Sequence, residues 1–200
     1  HNEEMKAYDL PMVVLTSRFG TVEMWDWEIV TYLRDLGCTV FSPYSIEMAK
    51  TILRAIAVKR SLKQGAKFLM FQDSPGEGMQ ANIFKRFYWW EKESTETMEE
   101  VFGCKLIYRS WKAVGDRAKQ ISDEEALKVS ADWDIRQEGV SRTAFLRAVK
   151  IYIAIKEVID EIGDVAGVGA NCLNESFNCD TTPCLAWNML FERDNIIWAC

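Results

Sequence analysis

The sequence predicts an α/β fold: a doubly wound, Rossmann-like parallel sheet, then a helical bridge, then an incomplete second α/β unit. Three observations predict it. Short apolar runs alternate with helical periodicity through residues 1–110, the pattern of strands joined by crossover helices. From Ser110 to Ile162 only helical signals occur. Beyond Gly163, two apolar runs flank a single helix, which is too little to cover a sheet. The expected division is therefore 1–110 as the Rossmann-like domain, 111–163 as a bridge packed on it, and 164–200 as a truncated second domain.

The elements follow in order. Leu10–Leu15 is a Val- and Leu-rich run suited to a buried strand. Trp25, Ile29, Tyr32, Leu33 and Leu36 recur at helical spacing over 22–36, and Gly37 is the expected stop. Thr39–Phe41 reads as a second strand. Ser45 caps a helix whose face is Ile46, Ala49, Ile52, Leu53 and Ile56. Lys67–Phe71 is the third strand, a helix runs over 81–102, and Lys105–Tyr108 is the fourth strand.

Three helices are then expected. Ser122 precedes Asp123, Glu124 and Glu125, first-turn acids that complement the helix dipole. Ser141 caps a long helix striped by Phe145, Ala148, Val149, Tyr152, Ile155 and Ile159, and Gly163 closes it. Val165–Ala170 is a Gly-containing strand. Pro183 suits the first turn of a helix reaching about Phe191, and Asn195–Cys200 is a last apolar strand.

Composition narrows function. The 200 residues can bury roughly 70% of their unfolded surface, so a real core is available. Net charge is −6, which disfavours nucleic acid as a partner. No apolar run approaches the ~20 residues of a membrane span, and no basic leader precedes an apolar stretch. The expectation is a cytoplasmic protein with no membrane partner. The one histidine is His1. Without others, Ser-His-Asp triads, Cys-His pairs and His-ligated metals are excluded within this chain. A general base must be a carboxylate, Lys, Tyr or Cys. The six cysteines form no Cys-x-x-Cys pair, so reduced thiols are expected rather than a zinc or redox site.

Three stretches carry candidate chemistry. Ser74–Gly78 sits between a strand and a helix, where a Gly-rich turn can cradle phosphate. Glu77 opposes that, and a plain turn or a sugar-contacting loop fits as well. Trp25, Trp27, Trp89 and Trp90 suit either sugar stacking or a core or interface. Asn171–Pro183 is richest. It follows a parallel strand at its carboxyl end and combines Glu175 and Asp180 with Asn171, Asn174 and Asn178. Hard cations and polyols both use such groups, as does an ordinary solvated loop.

Val168–Glu175, Thr182–Ala186 and Ile196–Cys200 together resemble the L-fucose isomerase-like sugar isomerases. Leu15–Met24, Phe102–Leu106, Asp123–Leu127 and Arg142–Lys156 resemble the middle domain and helical bridge of that fucose/arabinose isomerase superfamily. The resemblance implies a fragment covering the middle domain and the start of the C-terminal domain. It implies aldose–ketose isomerisation of a small sugar by ene-diol proton transfer, with a divalent metal, manganese, in a homo-oligomeric complete protein and none in this fragment. It makes Glu175 a catalytic carboxylate and, with Asp180, a metal ligand, and makes Asn171 and Asn174 sugar-binding. The fragment alone is then expected to be inactive. One departure stands out: Cys184 falls where the first acidic metal ligand lies in L-fucose isomerase. The alternative is a non-catalytic sugar- or nucleotide-binding α/β module.

Overall fold

The computed structural model describes residues 2–8, 10–15, 24–73, 91–170, 172 and 178–199, with backbone alone at 24–26 and 91. In chain order the elements are α1 (Asn2–Ala7), β1 (Met12–Val13), α2 (Met24–Asp35), β2 (Val40–Phe41), α3 (Ile46–Lys63), β3 (Lys67–Phe71), α4 (Glu91–Phe102), β4 (Lys105–Arg109), α5 (Trp111–Gln120), α6 (Asp123–Val129), α7 (Arg142–Ile162), β5 (Val165–Ala170), α8 (Cys184–Asp194) and β6 (Ile197–Ala199). The chain is mixed α/β with parallel sheets, and it divides into two compact units after Leu62. No helix among the described residues is long and apolar enough to cross a membrane.

The first unit is small. β1 and β2 pair in parallel, Met12 opposite Val40, with α2 as their crossover. Val30, Leu33 and Val40 are its buried core. Ile29 and Tyr32, expected on the buried face of α2, are about half exposed. With Val30 and Leu33 inward, a rotation of one residue, about 100° round the helix, is enough to leave them outside. Gly37 ends the helix at φ +87°, a conformation that costs glycine little. The Ser45 hydroxyl accepts from the Met48 amide at 3.1 Å, so the expected cap of α3 is present.

The second unit holds the main sheet, in the order β4-β3-β5-β6, all parallel. Residues alternate faces along a strand. Leu69 and Phe71, fully buried, share a face with Val168 and Ala170. That face packs on Trp111, Val149, Ile155, Trp187 and Leu190 from α5, α7 and α8. On the other face lie Phe68 and Met70, beside Gly167 and Gly169. A Cβ on Gly167 would lie 2.9 Å from both the Phe68 ring and Ile197 Cγ1, so neighbouring side chains occupy the space a larger residue needs.

Helix ends behave as the sequence indicates. Ser110, Ser122 and Ser141 each cap a helix by accepting from the amide three residues on. α7 stops at Gly163, at φ +64°, and the Lys67 ammonium donates to the Ile162 and Gly163 carbonyls at 2.9 and 3.0 Å. A cation there complements the negative end of the helix dipole. Arg117 forks onto Glu157, joining α5 to α7, and holds the Glu157 carboxyl below its usual range. The Tyr152 hydroxyl donates to Asp194 at 3.2 Å, joining α7 to α8. Burial, then the Asp194 charge, pushes that phenol up to about 12.

The sheet corrects the expected division of the chain. The strands near 165 and 195 do not begin a separate sheet: β5 pairs with β3, and β6 extends the same sheet. Nor do the four earlier strands form one sheet, because β1 and β2 pair only with each other among the described strands. The boundary after Leu62 replaces the ones expected at 110 and 163. The physical reason is that the Leu69–Phe71 edge needs apolar strands on both sides, and Val165–Ala170 supplies one.

Gly167→Val should destabilise the second unit by about 1–3 kcal/mol, the usual range for overpacking. A urea-unfolding midpoint below that of the wild type is expected. An unchanged midpoint would mean that Phe68 and Ile197 do not close over β5 as described.

Candidate functional site

In open parallel sheets, ligands bind outside the carboxyl ends of the strands, where neighbouring connections depart in opposite directions. That place is between β3 and β5. From β3 the chain passes to β4 on one side, and from β5 to β6 on the other. The two strand ends are register partners, Phe71 opposite Ala170. The segments that follow them in sequence, 74–78 and 171–183, are the ones singled out for chemistry above.

The floor of this edge is apolar and rigid. The Phe71 ring lies 6.0 Å from Trp111, edge-on, and 6.5 Å from Trp187, stacked. Above it, Gln72 donates its amide to the Arg109 carbonyl at 2.9 Å. The Asp73 carboxylate accepts from the Lys112 amide at 2.8 Å, in the first turn of α5. A carboxylate there satisfies a helix amide that has no partner within the helix.

Asn178 and Cys179 lie against α5. The Asn178 carbonyl accepts from Lys119 at 3.3 Å, and the backbone passes so close to Gly115 that a Cβ there would collide with it. Cys179 is buried with its thiol 3.9 Å from the Trp111 carbonyl. Burial pushes that thiol up to about 12, so it is a poor nucleophile at neutral pH. Cys184 is exposed and free, Cys104 is buried and free, and Cys172 is disulfide-bonded, which departs from the expectation of reduced thiols throughout.

Asp180 is the one predicted site residue that the structure describes. It is exposed, and its carboxylate faces the Arg147 Nε at 3.9 Å. It lines a cleft of roughly 290 Å³ with Lys119 of α5, Asp123 of α6, and Thr143, Arg147 and Lys150 of α7. Lys150 holds Asp123 at 2.6 Å and keeps that carboxyl below its usual range. Glu175, Asn171 and Asn174 lie outside the described residues.

Sequence reasoning missed Lys119, Arg147 and Lys150, which read as ordinary surface charges. A signal existed: Thr143, Arg147 and Lys150 recur at i, i+4 and i+7, one stripe of a helix. As a metal ligand Asp180 fits poorly. Its described neighbour is a cation, and three cations line its cleft against two carboxylates. Among the described residues no group of three His, Cys, Asp or Glu side chains could hold a metal ion.

Cysteine labelling of the folded chain should therefore be sharply graded. Cys184 should react with iodoacetamide fast, Cys104 and Cys179 far more slowly, and Cys172 only after a reductant is added. Mass spectrometry of the labelled peptides reads this directly. Equal rates at Cys179 and Cys184 would contradict the burial of Cys179 against α5.

No protein-family model matches the chain, and no curated protein matches it either.

Proposed function

We propose that the chain binds a small sugar at the carboxyl edge of β3 and β5, as the ligand-binding part of a metal-dependent aldose–ketose isomerase of the L-fucose/L-arabinose type. One observation carries the binding half of this reading: two polar, ligand-suited segments follow strands that are register partners at the switch point of a doubly wound sheet. The isomerase half rests on the sequence resemblance. In this reading Asn171 and Asn174 bind sugar hydroxyls, and Glu175 is the carboxylate that moves the proton between C1 and C2. Asp180 takes no part in holding metal, because its cleft already presents cations to it.

A second reading, a sugar-binding module without catalysis, is favoured by the pairing of Asp180 with Arg147 rather than with a second carboxylate. Turnover separates the two. Calorimetric titration of the chain with L-fucose and L-arabinose, with and without manganese, tests what they share. Saturable binding of at least one sugar is expected, weakened at least ~10-fold by Glu175→Gln, the scale on which groups near a metal site act. Absence of binding under all four conditions would overturn both. Binding with no turnover by the complete enzyme would leave the module.

A further inference from the structure

We infer that the cleft between α5, α6 and α7 binds a phosphate group, with Arg147 as its principal contact. This goes beyond the sugar site at the strand ends and does not rest on it.

The cleft collects charge from elements far apart in sequence. Lys119 comes from the end of α5, and Arg147 and Lys150 from the first half of α7. Asp123 and Asp180 oppose them, which leaves one net positive charge along the lining. The two carboxylates are held very differently. Asp123 is locked to Lys150 at 2.6 Å. Asp180 stands 3.9 Å from the Arg147 Nε, too far for a hydrogen bond. Arg147 thus has a planar fork of donors, none of which donates to Asp180. Such a fork matches a phosphate better than a single carboxylate oxygen does.

The remaining groups suit the same ligand. Thr143 contributes a hydroxyl from the first turn of α7, where the helix dipole is positive. The Ser141 hydroxyl accepts from the Ala144 amide and so stays at the helix cap. Lys119 donates to the Asn178 carbonyl at 3.3 Å and stands 3.9 Å from the Asp116 carboxylate, two long contacts that a dianion's oxygens would outcompete. A volume of roughly 290 Å³ admits a phosphate and a small attached group. Asp180 acts as the competitor: it occupies the mouth by Coulomb attraction and yields when a dianion enters.

A metal site and a phosphate site predict opposite behaviour for Asp180. The test titrates the full chain, by calorimetry, separately with inorganic phosphate, a hexose phosphate, the same unphosphorylated hexose, and manganese chloride. Wild type, Arg147→Gln and Asp180→Asn are compared. Both side chains are about half exposed, so both variants should keep the wild-type urea midpoint. Phosphate should bind the wild type, bind Arg147→Gln at least ~10-fold more weakly, the scale of one charge-assisted hydrogen bond, and bind Asp180→Asn more tightly. A hexose phosphate tighter than inorganic phosphate identifies a phosphorylated metabolite, and equal affinities identify free phosphate; both support the inference. It is overturned if phosphate does not bind, if Arg147→Gln binds it as well as the wild type does, if Asp180→Asn weakens it, or if manganese binds and Asp180→Asn abolishes that binding.

Discussion

Phe71 ends β3 with its ring between Trp111 and Trp187, and all three side chains are fully buried. Each ring removes roughly 150–250 Å² from water, or about 4–6 kcal/mol of gross burial. Among the described residues the two indole N–H groups have no hydrogen-bond partner. An unpaired buried N–H costs about 1–3 kcal/mol, less than the burial gained at either position. The cluster fixes three connections at once. Trp111 opens α5, Phe71 ends the strand beside β5, and Trp187 lies in α8. The helical face of the sheet is therefore pinned at its carboxyl edge, where a parallel sheet presents ligand sites.

The charged cleft depends on the same pinning. Cys179 is held at the Trp111 carbonyl, and the next residue, Asp180, comes to lie opposite Arg147. Gly115 permits this approach, since any side chain there would meet the Asn178 carbonyl. Arg117 and Glu157 fix α5 against α7, so Lys119 and Lys150 line one cleft although they are distant in sequence. The charged cleft is built by apolar packing, and its charges converge because the helices carrying them share one hydrophobic core.

Much of the fold was legible because its signals are local. Lys67–Phe71 and Val165–Ala170 are strands with the expected ends. Ser45, Ser122 and Ser141 cap the helices they were expected to cap. The α7 stripe is buried at Phe145, Val149, Tyr152, Ile155 and Ile159. α8 runs three residues past Phe191, to Asp194, and Pro183 is its cap rather than its first turn. What was not legible is pairing. β3 and β5 are brought together across a long stretch of chain, and periodicity says nothing about which strands are neighbours. In α2 the apolar residues offer two overlapping stripes, and packing selects Val30 and Leu33. Of the cleft lining, Asp180 stood out in the sequence as part of a polar segment, but as a metal ligand rather than as the partner of Arg147. Arg147 was not, because a lone cation on an amphipathic helix looks like any solvated charge until the fold puts a carboxylate opposite it.

The central claim is that β3 and β5 are adjacent strands of one cooperative unit, with the edge proposed to bind ligand at their carboxyl ends. Native-state hydrogen exchange tests it most directly. The amides of Leu69 and Phe71 in β3 and of Val168 and Ala170 in β5 should exchange last, through one shared opening with the same dependence on denaturant. Exchange of the β5 amides through an independent opening at lower free energy than those of β3 would contradict the single sheet, and with it the switch point on which the functional reading stands.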